Sequence, residues 1–364
     1  MSLAVLVLAG CFAFFITPAA RANTTADSPL PVPDGKAADM KKPVKVFILL
    51  GQSNMLGMGR VAEGKNPEGS LENAVKINKK FPYLVNSNGW SLREDVRNVR
   101  VMVGRGGGMQ VFNNEWLTIK GKTIGPEIGI GHCLGNAIDA PVMLLKSCIG
   151  NRSLGWDLLP PGSPGYEFTD KDKKTGKEVV YTYAGYKESP MRWEKGTRPQ
   201  KADWYAGKQY DDDIANAKKV LSELDKFYPG ATNYEVAGFF WWQGDKDRYD
   251  AGLASHYEQN LVRLIEQLRK DFNAPNAKFV CATLGQTEKG DRGNLNEANI
   301  LAAQLAVDGT SGKYAQFAGN VATVYAHPLS QGGASNNHYN GNAETYMNIG
   351  EAMGRAMAEL LREK

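Results

Sequence analysis

The stretch that decides the fold reads VKVFILLGQSNM and occupies residues 44–55. Its first seven residues form an apolar run of strand length, which is typical of a strand buried on both faces of a parallel sheet. The run ends at Gly51 and continues as Gln52, Ser53 and Asn54, so a buried strand leads directly into a tight polar turn. Taken alone, a serine in such a turn is more often a helix N-cap than a nucleophile.

Length and composition limit what surrounds this stretch. The chain has 364 residues, of which 42% are hydrophobic and 23% charged, with a formal net charge of +4. These values indicate a globular protein with either one large domain carrying insertions or two small domains. No run after residue 20 approaches the roughly 20 apolar residues of a membrane-spanning helix, which excludes a multi-span membrane protein. The small charge without a basic stripe also argues against nucleic acid as the main ligand.

The first 22 residues are interpreted as a signal peptide. An apolar run at residues 3–16 is followed by Ala-Arg-Ala at residues 20–22, which fits the small-x-small rule for cleavage after Ala22. The mature protein is then expected in the periplasm or outside the cell. Cys11 in Leu-Ala-Gly-Cys resembles a lipoprotein signal, an alternative that the sequence favours less. Residues 23–43 are a polar linker.

The remaining three cysteines, Cys133, Cys148 and Cys281, allow at most one disulfide, and the sequence does not decide whether it forms. No two of them have metal-ligand spacing, so we predict no metal site.

From residue 44 onward, strand and helix signals alternate. Short apolar runs recur at residues 142–145, 236–242, 279–284 and 321–325, and helical periodicity covers residues 127–138, 211–226, 250–272, 294–306 and 343–362. This alternation predicts a three-layer α/β fold around a doubly wound parallel sheet. Residues 59–124 and 151–208 do not fit it, apart from a hairpin at 166–183 that turns at 174–176. We interpret both as insertions that build walls around a site, within a single domain of residues 44–364.

Three blocks carry a resemblance to a known family. Residues 47–55, FILLGQSNM, closely resemble the nucleophile block of the SGNH hydrolases, in the sialic acid acetylesterase-like branch that includes acetylxylan esterases. Residues 125–127 (GPE) with 146–154 (KSCIGNRSL), and residues 241–247 (WWQGDKD), resemble two further blocks of that family. The resemblance implies an SGNH, flavodoxin-like fold and a carbohydrate esterase that needs no cofactor. It also implies Ser53 as nucleophile, with an oxyanion held by the amides of Ser53 and of Gly150 or Asn151 and by the Gln243 side chain. A loop-fixing hydrogen bond is the alternative role for Gln243.

The base is sought among only four histidines. His132 and His256 fall inside predicted helices, and His327, just after a strand, remains possible. His338 lies in a glycine-rich polar loop immediately before the last helix, which matches where the family keeps its catalytic histidine. We therefore predict His338 as the base that deprotonates Ser53.

The orienting acid departs from the family pattern. Many SGNH hydrolases have Asp-x-x-His, whereas this chain has Ser335 three residues before the histidine. Without a carboxylate on the imidazole the developing imidazolium is less stabilised, so either another acid serves or the enzyme uses a dyad. Asp245 and Asp247 are the nearest candidates and Glu127 is a third, with loop hydrogen bonding as the alternative role for each.

Gln52 and Asn54, beside the nucleophile, and Trp156 are predicted to contact substrate. Trp156 belongs to an aromatic cluster of the second insertion that either stacks on sugar rings or forms a satellite core; its other members are Tyr166, Trp193, Trp204 and Tyr205. The sequence thus predicts a serine esterase that removes O-acetyl groups from carbohydrate, either sialate or a plant or algal polysaccharide. The alternatives are a catalytically impaired carbohydrate-binding protein of the same fold and an esterase for non-sugar acyl groups. The sugar, the acetyl position and the oligomeric state stay open.

Overall fold

The fold is taken from a computed structural model, which describes residues 29–62, 64, 67–104, 106–172 and 175–363. The interpreted signal peptide, including Cys11, and the first part of the linker lie outside these residues. Residues 29–43 form neither helix nor strand. A membrane-crossing helix, which must be both long and apolar, is not found in the described part of the chain.

The secondary structure follows the alternation seen in the sequence. The strands are β1 (Val44–Gly51), β2 (Gly59–Arg60), β3 (Val85–Asn86), β4 (Gly89–Trp90), β5 (Arg93–Val103), β6 (Met109–Leu117), β7 (Thr123–Ile124), β8 (Val142–Ser147), β9 (Tyr166–Lys171), β10 (Glu178–Tyr183), β11 (Arg192–Glu194), β12 (Tyr234–Trp242), β13 (Lys278–Ala282) and β14 (Val321–Val324). The α-helices are α1 (Ser53–Leu56), α2 (Glu127–Ala137), α3 (Lys208–Ser222), α4 (Leu224–Phe227), α5 (Ala251–Ser255), α6 (Tyr257–Asp271), α7 (Leu295–Ala306) and α8 (Ala343–Arg362).

A seven-stranded sheet in the order β14-β13-β12-β1-β8-β5-β6 organises the molecule. Strands β14, β13, β12, β1, β8 and β5 are parallel, and β6 pairs antiparallel with β5 at one edge. The chain leaves β1 and returns to β8 on one side and to β12 on the other. This reversal makes the carboxyl end of β1 a topological switch point, where open α/β sheets place their ligand crevice.

Helices cover both faces of the sheet, which confirms the predicted three-layer α/β class. The side chains of β1 alternate between two cores: Val46 and Ile48 pack on the face covered by α3, α6 and α7, whereas Phe47 and Leu49 pack on the face covered by α2 and α8. A strand that supplies both cores must be apolar at every position, which explains the uninterrupted run that opens the fold. The thiols of Cys133, Cys148 and Cys281 are buried and unbridged.

The first insertion is not what the sequence predicted. Within residues 59–124, β5 and β6 are long strands of the central sheet rather than a wall beside it. Strand β5 carries six charged or amide side chains among eleven residues, because part of one face lines a polar cavity near the sheet edge. The second insertion does contain the predicted hairpin, as β9 and β10, and adds β11 to it. The helix predicted at residues 250–272 is interrupted at His256, and the one at 211–226 at Glu223.

Candidate active site

The turn after β1 presents Ser53 at the switch point. Gly51 has φ of 144°, and a Cβ built on it would lie 2.3 Å from the Trp242 carbonyl oxygen of β12. Only glycine permits this backbone and this close approach. The chain is then extended at Gln52, and α1 begins at Ser53, which is 9% exposed. The sheet therefore fixes the serine at the carboxyl end of its central strand.

His338 meets this serine directly. The distance from His338 Nε2 to Ser53 Oγ is 2.9 Å, across 285 residues of sequence. In the tautomer that carries its proton on Nδ1, the serine hydroxyl donates to Nε2, which is the arrangement that general-base removal of the proton requires. The structure thus brings together the two residues that the sequence nominated as nucleophile and base.

The loop that carries His338 is strained. His338, Tyr339 and Asn340 have φ of 50°, 53° and 52°. A left-handed turn costs roughly 1–2 kcal/mol for each residue with a side chain, so the three together cost about 3–6 kcal/mol. Tyr339 opposes this cost: its ring is fully buried, lies 6.0 Å from the Trp242 ring, and its hydroxyl accepts from the Gly285 amide at 3.1 Å. This anchored aromatic was not identified from the sequence, although its place next to His338 was a signal.

The other three histidines have structural surroundings. His132 is buried 4.7 Å from the Tyr83 ring, and burial lowers its pKa to about 3. His256 stacks on Tyr166 at 3.5 Å, and burial lowers its pKa as well. His327 Nδ1 lies 2.9 Å from the Gly285 carbonyl oxygen. Of the four histidines, His338 is the one bonded to Ser53.

None of the three predicted acids contacts His338 in the described part of the chain. Asp247 accepts from the Leu154 and Gly155 amides at 2.9 Å each and from Gln243 Nε2 at 2.6 Å, and burial raises its pKa to about 6. Glu127 pairs with Lys146 at 2.6 Å. These two carboxylates hold loops together, so the prediction that Asp247 orients the histidine is wrong.

Asp245 also lacks a direct contact with the imidazole, but it bonds to the loop that carries it. Its Oδ1 accepts from Ser335 Oγ at 2.8 Å and from Arg248 Nε at 2.8 Å. Direct orientation of His338 by Asp245 is therefore not observed. Arg248 donates in turn to Glu297 at 2.6 Å, so the charge of Asp245 has a cationic neighbour.

The amides around Ser53 are suited to an oxyanion. A Cβ built on Gly150 would lie 3.5 Å from the Ser53 Cβ, so the loop after β8 passes close to the nucleophile. Among the described residues, the amides of Ser53, Gly150 and Asn151 donate to no protein acceptor. Asn151 has φ of 56°, which turns the chain at this point. Backbone donors that lie beside a nucleophile without a protein acceptor are candidates for an oxyanion hole.

Gln243 does not fit the predicted oxyanion role. Its Nε2 donates to the Arg152 carbonyl at 2.8 Å and to Asp247 at 2.6 Å, and its Oε1 accepts from the Tyr257 hydroxyl at 2.9 Å. Both amide hydrogens are therefore in use, and the side chain is 1% exposed. This is the loop-fixing alternative.

Gln52 and Asn54 are also structural in this arrangement, which contradicts their predicted contact with substrate. Both are almost fully buried. Gln52 Oε1 accepts from the Gly244 and Lys246 amides at 3.4 and 3.3 Å. Asn54 donates to the Ser335 carbonyl at 3.4 Å and accepts from the Tyr346 hydroxyl at 3.0 Å. Side chains with these partners hold neighbouring loops rather than a ligand.

Trp156 belongs to the satellite core that the sequence left as an alternative. It is half-buried and, together with Trp193, packs against Leu159, Ala184 and Ala206. Tyr166 stacks between His256 and Tyr183, Tyr205 donates to Asp211, and Trp204 lies 4.8 Å below the Arg152 guanidinium. The packing argues against Trp156 as a free sugar platform.

No cluster of three or more histidine, cysteine, aspartate or glutamate side chains with a geometry that could hold a metal ion is found among residues 29–363 as far as they are described.

Three solved structures are similar to this chain over most of its length. A protein from Arabidopsis thaliana is 18% identical with a TM-score of 0.46, over 89% of this chain and 100% of that one. A carbohydrate acetylesterase from Xanthomonas citri is 14% identical with a TM-score of 0.46, over 87% of this chain and 55% of that one. NanS is 14% identical with a TM-score of 0.46, over 90% of this chain and 100% of that one. Among curated sequences, none matches this chain.

A family model gives the assignment. The model of carbohydrate esterases described as sialic acid-specific acetylesterases matches residues 163–359, more than half of the chain. The matched segment contains His338, Ser335 and Asp245, whereas Ser53 precedes it. The chain therefore belongs to the carbohydrate esterase family of sialic acid-specific acetylesterases, and with that family it is a carboxylic ester hydrolase.

Proposed function

We propose that this protein is a serine esterase that removes O-acetyl groups from carbohydrate with Ser53 as nucleophile and His338 as general base and acid. The single observation that carries the proposal is the 2.9 Å contact between Ser53 Oγ and His338 Nε2 at the switch point of the sheet. Family membership supports the carbohydrate ester as substrate class.

The reaction proceeds in two acyl-transfer steps. His338 Nε2 takes the hydroxyl proton of Ser53 as Oγ attacks the acetyl carbonyl carbon, and the carbonyl oxygen becomes an oxyanion held by the amides of Ser53, Gly150 and Asn151. The bond from the acetyl carbon to the sugar oxygen then breaks, and His338 gives its proton to that oxygen. The same imidazole then takes a proton from water as the water oxygen attacks the acetyl carbon of the acetyl-enzyme. The bond from that carbon to Ser53 Oγ breaks, acetate leaves, and His338 returns the proton to Oγ.

The first test is acetate release by the mature protein, its Ser53→Ala and His338→Ala variants, and a His327→Ala control. Acetylated sialic acid, acetylated xylan and p-nitrophenyl acetate separate the substrate classes. We expect the first two variants to lose at least about a thousandfold in kcat, as removal of triad members does elsewhere, and the control to stay within about threefold of wild type. An unchanged rate in Ser53→Ala would contradict the mechanism. Glycan binding without hydrolysis in wild type would favour the binding-protein alternative, and hydrolysis of p-nitrophenyl acetate alone would favour a non-sugar esterase.

We propose residues 44–364 as one esterase domain. This is supported by a central sheet whose strands are drawn from the whole stretch between β1 and β14. We further propose cleavage after Ala22 and export, supported by the sequence of residues 1–22. Amino-terminal sequencing of the exported protein should begin at Asn23, and an unprocessed amino terminus would contradict the proposal.

A further inference from the structure

Serine occupies position 335, where many SGNH hydrolases have an acid, so other contacts must hold His338 in place. Ser335 is 1% exposed and begins the strained loop. All of its polar groups are engaged: Oγ donates to Asp245 at 2.8 Å, the amide donates to Gln286 Oε1 at 3.3 Å, and the carbonyl accepts from Asn54 at 3.4 Å. Ser335 therefore fixes the start of the loop to three separate segments.

The segment that carries Asp245 is in turn fixed to the turn that holds the nucleophile. The amides on either side of it, those of Gly244 and Lys246, donate to Gln52 Oε1. Gln52 and Asn54 flank the nucleophile in sequence. The contacts therefore close a ring that runs from Gln52 to the segment around Asp245, then to Ser335, to Asn54 and back to Ser53.

The ring joins the loop that carries His338 to the turn that carries Ser53. Backbone strain at residues 338–340 persists only where the surroundings over-determine the conformation. Tyr339 anchors the centre of the loop, whereas the Asp245 to Ser335 hydrogen bond joins its beginning to the turn that holds the nucleophile. Without that bond the loop has less to oppose its relaxation from the left-handed conformation, and the Ser53 to His338 contact lengthens.

We infer that Asp245 is a positioning residue, which acts on His338 through Ser335 by accepting a hydrogen bond from the Ser335 hydroxyl. The inference rests on the proposed function and deepens it, because it assigns the place of the missing acid. Asp245 acts as a hydrogen-bond acceptor more than as a charge, since Arg248 Nε donates to the same oxygen at 2.8 Å and offsets its field at the imidazole.

The distinction between acceptor and charge makes the inference testable. Asparagine at position 245 keeps an oxygen that accepts from Ser335 and loses the charge, whereas alanine loses both. We would measure kcat, KM and the pH profile of kcat/KM for Asp245→Asn, Asp245→Ala, Ser335→Ala and the Asp245→Ala/Ser335→Ala double variant. The rate of Ser53 sulfonylation by phenylmethylsulfonyl fluoride reports the contact with His338 independently of substrate.

We expect Asp245→Ala and Ser335→Ala each to lower kcat and the sulfonylation rate by about 10–100-fold with KM within about threefold, because a displacement near 1 Å costs about that much. The double variant should lose no more than the worse single variant, since both break one contact. Asp245→Asn should retain activity within about fivefold of wild type, with the acidic limb of the profile unmoved. Asp308→Ala is the control and should leave kcat unchanged. It removes the carboxylate that accepts from the Thr310 and Thr323 amides beside the edge strand β14.

Three results would overturn the inference. The first is a kcat equal to that of wild type in both Asp245→Ala and Ser335→Ala. The second is a loss of kcat in the double variant that equals the product of the losses in the two single variants. The third is an Asp245→Asn variant as impaired as Asp245→Ala with the acidic limb shifted to lower pH, because the charge would then be the operative property. Should Asp245→Ala fail to fold, Asp245→Asn and Ser335→Ala still decide the matter. Full activity in Ser53→Ala would refute the proposed function itself, whatever these variants do.

Discussion

Tyr339 is predicted to set the population of the productive His338 loop. Its Ala substitution removes a fully buried aromatic ring, a change that typically costs 3–5 kcal/mol in a core. The left-handed residues 338–340 store about 3–6 kcal/mol, so loss of the anchor is of the same size as the strain it opposes. If about 3 kcal/mol of the loss falls on the loop, the competent population drops about 100-fold, since each 1.4 kcal/mol is a factor of ten.

The assay compares kcat, the Ser53 sulfonylation rate and the urea unfolding midpoint in Tyr339→Ala and Tyr339→Phe. Tyr339→Ala should lose about 100-fold in kcat and in sulfonylation. Tyr339→Phe keeps the ring on Trp242 and leaves only the Gly285 amide without its acceptor, which costs about 1–3 kcal/mol, so its activity should fall less. A folded Tyr339→Ala protein with kcat within threefold of wild type would refute the reasoning, because the strained loop would then hold without its anchor.

Three further predictions concern the frame of the site. Gly51→Ala should destabilise the fold by several kcal/mol in urea unfolding, because its Cβ would meet backbone at 2.3 Å, whereas Gly290→Ala, at φ of 88° in open space, should cost only about 1–2 kcal/mol; equal losses would contradict the steric argument. Asp247 has a pKa raised by burial to about 6 against about 3.9 unfolded, so its contribution to stability is greatest below pH 4 and is lost as the pH rises to 6 and above. The unfolding free energy of wild type, relative to that of Asp247→Asn, should therefore fall by up to about 3 kcal/mol as the pH rises over that range. A relative free energy that does not change with pH would refute this prediction. Lys146→Met strands the buried Glu127 carboxylate and should cost about 3–5 kcal/mol, most of which Glu127→Gln in the same chain should restore; an uncorrected double variant would argue against the buried pair.

Strands that are buried on both faces could be predicted from the sequence, whereas a strand with a polar face could not. The strands β1, β8, β12, β13 and β14 are apolar on both faces, and their runs are visible in the sequence. Strand β5 was missed because it lies near the sheet edge, where Asn98 and Arg100 face a polar cavity and interrupt the run of valines. A strand with one polar face beside a cavity has the composition of a loop.

In the site, the sequence identified the catalytic histidine candidate but not the roles of the amide side chains around the nucleophile. His338 could be nominated because few histidines compete for the role and because its place before the last helix matches where the resembled family keeps its catalytic histidine. Gln52, Asn54 and Gln243 could not be assigned, since an amide beside a nucleophile serves a ligand or a neighbouring loop equally well. Which partner it meets depends on contacts between segments far apart in sequence, such as the Asn54 bond to Ser335. Spacing along one chain does not report those contacts.

The most direct test of the Ser53 and His338 mechanism is to trap the acyl-enzyme. Wild-type protein mixed with p-nitrophenyl acetate and quenched in acid during the burst should carry one acetyl group, and peptide mass spectrometry should place it on Ser53. The Ser53→Ala variant should carry none and release no acetate above background. Turnover with the acetyl group on another residue, or undiminished turnover in Ser53→Ala, would contradict the mechanism at its centre.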